Sequence, residues 1–349
     1  MEQKIQDSQE NILVIGPSWI GDMVMAQSLF RSLKVSYPDC RISVMAPDWT
    51  RPLLERMPEV EHSIGLPLKH GELNFAARLA WGKSLRVHQF TMSIVLPNSF
   101  KSALIPFHAQ IPKRIGWRGE WRNMLLSDCR KLNKEKLPMM VQRFAALAQD
   151  VSAKSLPEIL KPRLSTDSQT LDKTLAEFGL QGDGKILAVC PGAEFGAAKQ
   201  WPALHYASVC NALITAGWKV WIFGSCSDMV IAEAILADIE IGYQESCVNL
   251  AGRTSLAEAI DLMSATTAAI SNDSGLMHIA AALDKPVVAL YGSTSPEFTP
   301  PLTERVSLLA TDIECRPCFK RDCPYGHLKC LTELEPNRAI AALNEMVRA

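Results

Sequence analysis

Residues 267–283 read TAAISNDSGLMHIAAAL: a short apolar run, a polar turn of Asn, Asp, Ser and Gly, and an Ala-rich stretch. The run has the length of a buried strand, and the residues from Gly275 onward favour a helix. A strand that feeds a helix through a polar turn is the repeating unit of a doubly wound parallel sheet. The unit recurs around this stretch. KILAVC (185–190), KVWIF (219–223) and PVVAL (286–290) have the same strand character, and helices are predicted over 202–216, 228–239, 255–265 and 275–283. The pattern has already run once, through NILVIG (11–16), RISVMA (41–46) and MSIVL (92–96), with helices over 22–36 and 48–57. Between the two runs lies SAKSLPEILKPRLSTDSQT (152–170), rich in Ser, Pro and charge, which reads as a linker. The expectation is an α/β chain of two Rossmann-like doubly wound domains facing each other across a cleft. The first covers 1–160 and the second 171–335, and a helix over 336–349 is placed to pack back on the first domain.

Composition narrows the function. The chain has 349 residues, 48% hydrophobic and 21% charged, enough apolar content for sizeable cores and too much for a disordered protein. Its net charge of −1 argues against general nucleic-acid binding. The opening MEQKIQDSQE is polar and lacks a signal-peptide core, and no apolar run reaches membrane-spanning length, so a cytoplasmic location is expected. Ten cysteines in a chain this long do not make a disulfide scaffold.

Three strand ends carry chemistry. VIGPSWIGDMV (14–24) has the spacing Gly16-x4-Gly21, but Asp22 follows where a phosphate loop needs Lys and Ser or Thr. A carboxylate there repels phosphate; it can take a proton from a hydroxyl nucleophile, or simply cap its helix. AVCPGAEFGAAKQWP (188–202) exposes backbone N–H groups ahead of a helix and adds Lys199, a combination suited to a diphosphate or to an ordinary surface loop. In the opening stretch, Asp273 can accept from sugar hydroxyls, Ser274 and the first-turn amides can donate to phosphate, and Gly275 permits close approach. His278 sits one turn further in, as a ligand contact or a core residue. YGSTSPEF (291–298) lines the same rim with small hydroxyl residues.

Taken in order, GPSWIGD, PGAEFGAAKQWP and SNDSGLMHIAAAL resemble the motifs of family 9 glycosyltransferases, and the resemblance runs over essentially the whole chain. It implies a GT-B fold with the acceptor on the N-terminal side and the nucleotide sugar held by the C-terminal domain. It further implies inverting transfer of L-glycero-D-manno-heptose from ADP-heptose to the first heptose of the lipopolysaccharide inner core, heptosyl-Kdo2-lipid A. By position, the resemblance makes Asp22 the catalytic base, Lys199 the phosphate contact, and Asp273 the partner of the heptose hydroxyls. Ser274, Gly275 and His278 fall on the donor turn and helix, Thr254 where the backbone meets adenine, and Asp228 near the ribose. Glu194 and Phe195 occupy donor-loop positions where a related heptosyltransferase has hydroxyl residues, so backbone amides replace side-chain donors there. The sequence contains no Asp-x-Asp, so metal-independent stabilisation of the leaving group and no cofactor are expected.

KRIGWRGEWRNMLLSDCRKLNKEK (113–136) holds eight Lys/Arg against three Asp/Glu. It suits a phosphorylated, acidic acceptor, or is a solvated helical face. Arg118 and Arg122 within it, and Ser99, Lys101 and Ser102 after MSIVLPN, are the candidate acceptor contacts. Trp117 and Trp121 are placed to stack on sugar or to meet the inner membrane peripherally at its cytoplasmic face. CRPCFKRDCPYGHLKC (315–330) is C-x2-C-x4-C-x6-C with His327 nearby; structural metal, redox pairing and free thiols all stay open for Cys315, Cys318, Cys323 and Cys330. The competing functions are another heptosyltransferase of the family, a GT-B sugar-nucleotide epimerase, a non-enzymatic inner-core lipopolysaccharide-binding scaffold, and, most distantly, a zinc-dependent nucleic-acid module.

Overall fold

The structure, a computed structural model, describes residues 9–66, 68, 72–153 and 155–348. The first eight residues of the polar N-terminal stretch and Lys154 of the linker lie outside the described residues. The chain divides into two compact units, Met1–Leu160 and Lys161–Ala349.

In the first unit the elements run β1 (Asn11–Ile15), α1 (Ile20–Ser36), β2 (Arg41–Ala46), α2 (Arg51–Leu54), β3 (His62–Gly65), α3 (Phe75–Ser84), β4 (Met92–Val95), α4 (Phe100–His108), β5 (Lys113–Trp117), β6 (Asp128–Arg130) and α5 (Met140–Ala145). The strands form a six-stranded sheet in the order β3-β2-β1-β4-β5-β6. All its pairs are parallel, and β1 sits between Ile42 and Val44 on one side and Met92 and Ile94 on the other. Strands covered on both faces read as continuous apolar runs, which is why NILVI and MSIV carry so little polarity.

The second unit repeats the plan with α6 (Ser168–Phe178), β7 (Ile186–Cys190), α7 (Ala203–Thr215), β8 (Lys219–Ile222), α8 (Met229–Ala237), β9 (Cys247–Asn249), α9 (Leu256–Ser264), β10 (Ala268–Asn272), α10 (Gly275–Ala282), β11 (Val287–Leu290), β12 (Val306–Leu309), α11 (Lys329–Thr332) and α12 (Pro336–Arg348). Its sheet order is β12-β11-β10-β7-β8-β9, again all parallel. Counted from its own first strand this is the same order as in the first unit. In a doubly wound sheet the chain reverses direction between the two central strands, and ligands bind beyond their carboxyl ends. The two switch points are therefore the ends of β1 and β4, and of β7 and β10.

Helix α12 packs within the second unit: Ala339, Ala342 and Leu343 are buried with Trp201, Leu213 and Leu290, and the helix lies along α7 and the β10–β12 strands. Trp201 explains the placement. It is fully buried, its indole N–H donates to Leu334 O at 3.0 Å, and it packs edge-on against Tyr206 at 4.9 Å. That anchor draws the chain just before α12 under α7. Among the described residues no helix is long and apolar enough to cross a membrane.

Candidate active site

The first switch point brings together the ends of β1 and β4. After β1 the chain turns through Gly16, whose N–H donates to Met45 O at 2.9 Å. A Cβ at Gly16 would stand 2.7 Å from the Met23 methyl and 3.2 Å from a Val44 methyl, so a side chain there would push these core groups aside. The N-cap of α1 is Trp19, with no side-chain cap bond, and Asp22 is the third helical residue, half-buried in the first turn. Asp22 is thus not the N-cap; its charge lies where the helix dipole favours an anion. Two indoles flank this turn, neither singled out from the sequence. Trp19 is 42% exposed and Trp49 is 54% exposed, and Trp49 Nε1 donates to Ser18 O at 3.2 Å.

Beyond β4, Ser99 is the N-cap of α4 without a side-chain cap bond, and Lys101 follows in the first turn, both half-buried. Two expected acceptor contacts are placed otherwise. Ser102 is buried, and its hydroxyl donates to Pro97 O at 2.8 Å and Ser99 O at 2.6 Å. Arg122 is fully buried and donates to Pro97 O, to Trp117 O at 2.6 Å, to Asn98 Oδ1 at 3.0 Å and to Ser102 Oγ at 3.2 Å. Burial lowers its guanidinium to about 10, still charged at neutral pH. Glu120 adds an accepted bond from Phe100 N at 2.9 Å, and buried Arg78 donates to Lys101 O at 3.2 Å. These side chains hold the β4–α4 turn.

Replacing Arg122 by Met strips donors from several buried acceptors at once. An unsatisfied buried group costs about 1–3 kcal/mol. Arg122→Met is expected to lower the stability of the first unit by about 3 kcal/mol or more, read as a shifted urea midpoint. An unchanged midpoint would remove this clamp from the account.

The basic stretch is not a helical face: it runs through β5, a short 3₁₀ turn and β6. Trp117 is buried, with Nε1 donating to Arg143 O at 3.0 Å, which takes it out of any sugar or membrane contact. Arg118 is exposed, and so are Trp121 at 93% and Met124 at 89%.

The second switch point is more tightly built. Asn272, the last residue of β10 and fully buried, donates through Nδ2 to Pro191 O at 2.7 Å and accepts from Trp201 N at 3.2 Å. One side chain thus grips both ends of the 191–201 loop. Within that loop Lys199 Nζ lies 2.7 Å from Asp273 Oδ2 and 3.2 Å from Asp273 O, with side-chain exposures of 14% and 4%. Thr299 Oγ1 stands 3.4 Å from the other Asp273 oxygen, a contact not foreseen from sequence. Ser274 is the N-cap of α10, its hydroxyl 3.2 Å from Ser271 Oγ, and it makes no cap bond to the first-turn amides from Gly275 onward. A helix start beside an ammonium group is suited to an anion. His278 is buried, and burial lowers its imidazole to about 4, so it is neutral at physiological pH.

Asp228 closes the rim on the β8 side. Its carboxylate accepts from Ser225 N and Ser225 Oγ, each at 2.8 Å, and sits so close to Gly192 that a Cβ there would lie 2.7 Å away. Exposed Glu194 lies near Ser227 Oγ at 3.3 Å. Phe195 presents its ring to Lys199 Nζ at 4.9 Å, so it positions a cation. Thr254 lies in the connection from β9 to α9, half-buried, with Oγ1 3.5 Å from Leu250 O. Cys315, Cys318, Cys323, Cys330, His327 and Ser293 line one small cavity behind Ala198. The thiols are free, and among the described residues no group of three or more His, Cys, Asp or Glu is placed to hold a metal ion.

The comparisons with known proteins agree with this anatomy. The model of glycosyltransferase family 9 (heptosyltransferase) matches residues 78–329. Lipooligosaccharide heptosyltransferase 2 of Haemophilus influenzae is 49% identical, over 97% of this chain and 99% of that protein. Lipopolysaccharide heptosyltransferase 2 of Escherichia coli is 47% identical, over 96% and 98%. The solved E. coli ADP-heptose lipopolysaccharide heptosyltransferase II superposes with a TM-score of 0.88 at 44% identity, covering 97% of this chain and 98% of that one. Its two parallel six-stranded sheets are those of the GT-B class. On sequence and fold together, the chain belongs to glycosyltransferase family 9, the heptosyltransferases.

Proposed function

We propose that the chain transfers L-glycero-D-manno-heptose from ADP-heptose to the first heptose of the lipopolysaccharide inner core, with inversion at the anomeric carbon. The observation that carries this reading is the Lys199–Asp273 pair beside the N-terminus of α10, whose N-cap side chain makes no cap bond, in a chain about half identical to heptosyltransferases 2. The second unit would hold the donor. Lys199 and the α10 amides would face the diphosphate, Asp273 the heptose hydroxyls, Asp228 the ribose and the segment around Thr254 the adenine. In the first unit Asp22 would accept the acceptor's hydroxyl proton. The oxygen then forms a bond to the anomeric carbon as the bond to the phosphate oxygen breaks, and ADP leaves with the electron pair. Negative charge grows on the leaving phosphate, so cations and amides aimed there bind the transition state more strongly than the ground state.

Ser99, Lys101 and Arg118 remain the proposed acceptor contacts, joined by Trp19 and Trp49, whose exposed indoles beside the Asp22 turn suit a sugar face. Exposed Trp121 and Met124 within the basic stretch suit peripheral contact with an anionic membrane at the cytoplasmic face. ADP release from ADP-heptose, measured with lipid A acceptors carrying zero, one or two heptoses, tests the reading. Release is expected with the one-heptose acceptor alone, and faster from anionic than from neutral vesicles. Release with the heptose-free or two-heptose acceptor would assign a sibling activity; change in the sugar nucleotide without acceptor would assign an epimerase. Equal rates on both vesicles would remove the membrane contact.

A further inference from the structure

The cysteine-rich loop has no part in the reaction as described, yet it lies directly against the 191–199 loop. Ala198 N donates to Arg321 O at 2.9 Å, and Ala198 O accepts from Ser293 N at 3.2 Å. Phe319 N donates to Ser293 O at 2.7 Å, so three segments are tied at one point. The approach is close enough to need Gly196, with φ of 150°, where a Cβ would stand 2.5 Å from Arg321 O. This fastening fixes the backbone at 321 and so the origin of its side chain. The Arg321 guanidinium carbon lies 5.4 Å from the centre of the Phe195 ring, the same ring that Lys199 Nζ approaches at 4.9 Å. Lys199 is offset by Asp273, whereas Arg321 is exposed and has no carboxylate partner among the described residues. Two cations on one ring repel each other, and an anion reaching both relieves the repulsion. A guanidinium is well matched to phosphate oxygens because it donates two parallel hydrogen bonds.

We propose that Arg321 is a second cationic ligand of the donor's diphosphate, delivered by the cysteine-rich loop and held beside Lys199 by the ring of Phe195. It rests on the reading of 191–199 as the ADP-binding loop, and the experiment separates the two. Binding of ADP and of adenosine is measured calorimetrically for the unaltered chain and for Arg321→Gln, Arg321→Lys and Phe195→Leu. The backbone carbonyl that receives Ala198 N survives in every variant, and the altered side chain at 321 is exposed, so the fold is retained. Loss of a charge-assisted contact is expected to weaken ADP by about tenfold in Arg321→Gln. Adenosine should change less than twofold, Arg321→Lys should keep part of the affinity, and Phe195→Leu should fall between. ADP affinity unchanged in Arg321→Gln, or an equal loss for adenosine, overturns the proposal while leaving the donor site intact. Failure of the unaltered chain to bind ADP overturns the donor-site reading and this proposal with it.

Discussion

Asp22→Asn is expected to lower kcat for heptose transfer by about 10²–10⁴-fold, the usual worth of a general base, while ADP-heptose binding stays within a factor of about two. Asp22 stands in the first turn of α1, at the carboxyl end of the central strand β1 and beside the switch point of its sheet. The helix N-cap is Trp19, so Asp22 is not itself the capping residue. One purely structural contribution is the favourable placement of a negative charge near the helix start. That is worth about 0.3–1 kcal/mol and would appear as a small loss of stability with kcat intact. The two accounts therefore separate on one variant. Asparagine keeps the size and the hydrogen-bonding reach of the side chain and removes its basicity. Single-turnover rates with saturating donor and acceptor, read beside the urea midpoint, decide between them. Turnover within tenfold of the unaltered chain would take Asp22 out of the chemistry.

How much of this was legible beforehand follows from burial. The inner strands β1, β2, β4, β7, β8, β10 and β11 are covered on both faces, and their apolar runs name them directly. The sheet edges β3, β6, β9 and β12 are partly solvated, and HSIG, DCR, CVN and VSLL carry no run long enough to stand out. β5, KRIGW, is hidden by its charges. Residues within one strand-end turn, such as Asp273 to His278, were visible together because a turn is local in sequence. The burial of Arg122 was not legible because a basic stretch looks solvated, and nothing local reveals that backbone carbonyls from 97 and 117 converge on one guanidinium. Asn272 and Thr299 acquire their roles only when distant segments close on each other. The same holds for α12, whose amphipathic pattern states that it packs but not on what.

Removing Lys199 should expose the two jobs its ammonium group performs, and a pair of variants tells them apart. Asp273 is 4% exposed at its side chain, and Lys199 Nζ at 2.7 Å is its charge partner. Breaking a buried pair from one side leaves an uncompensated charge and costs about 3–5 kcal/mol. Lys199→Met is accordingly expected to destabilise the second unit by about 3 kcal/mol. It should also cut kcat/KM for ADP-heptose by about 10²–10³-fold, the scale of losing one preorganised group at the developing charge. Adding Asp273→Asn removes the stranded carboxylate, so most of the stability should return, since two neutral groups in a buried site avoid the charge penalty. Transfer should not return, because the phosphate still lacks its cation and the heptose has exchanged a carboxylate for an amide. Stability and turnover thus part company in the double variant. Should Lys199→Met/Asp273→Asn recover heptose transfer along with its urea midpoint, Lys199 serves only to neutralise Asp273, and the diphosphate must be held by other groups.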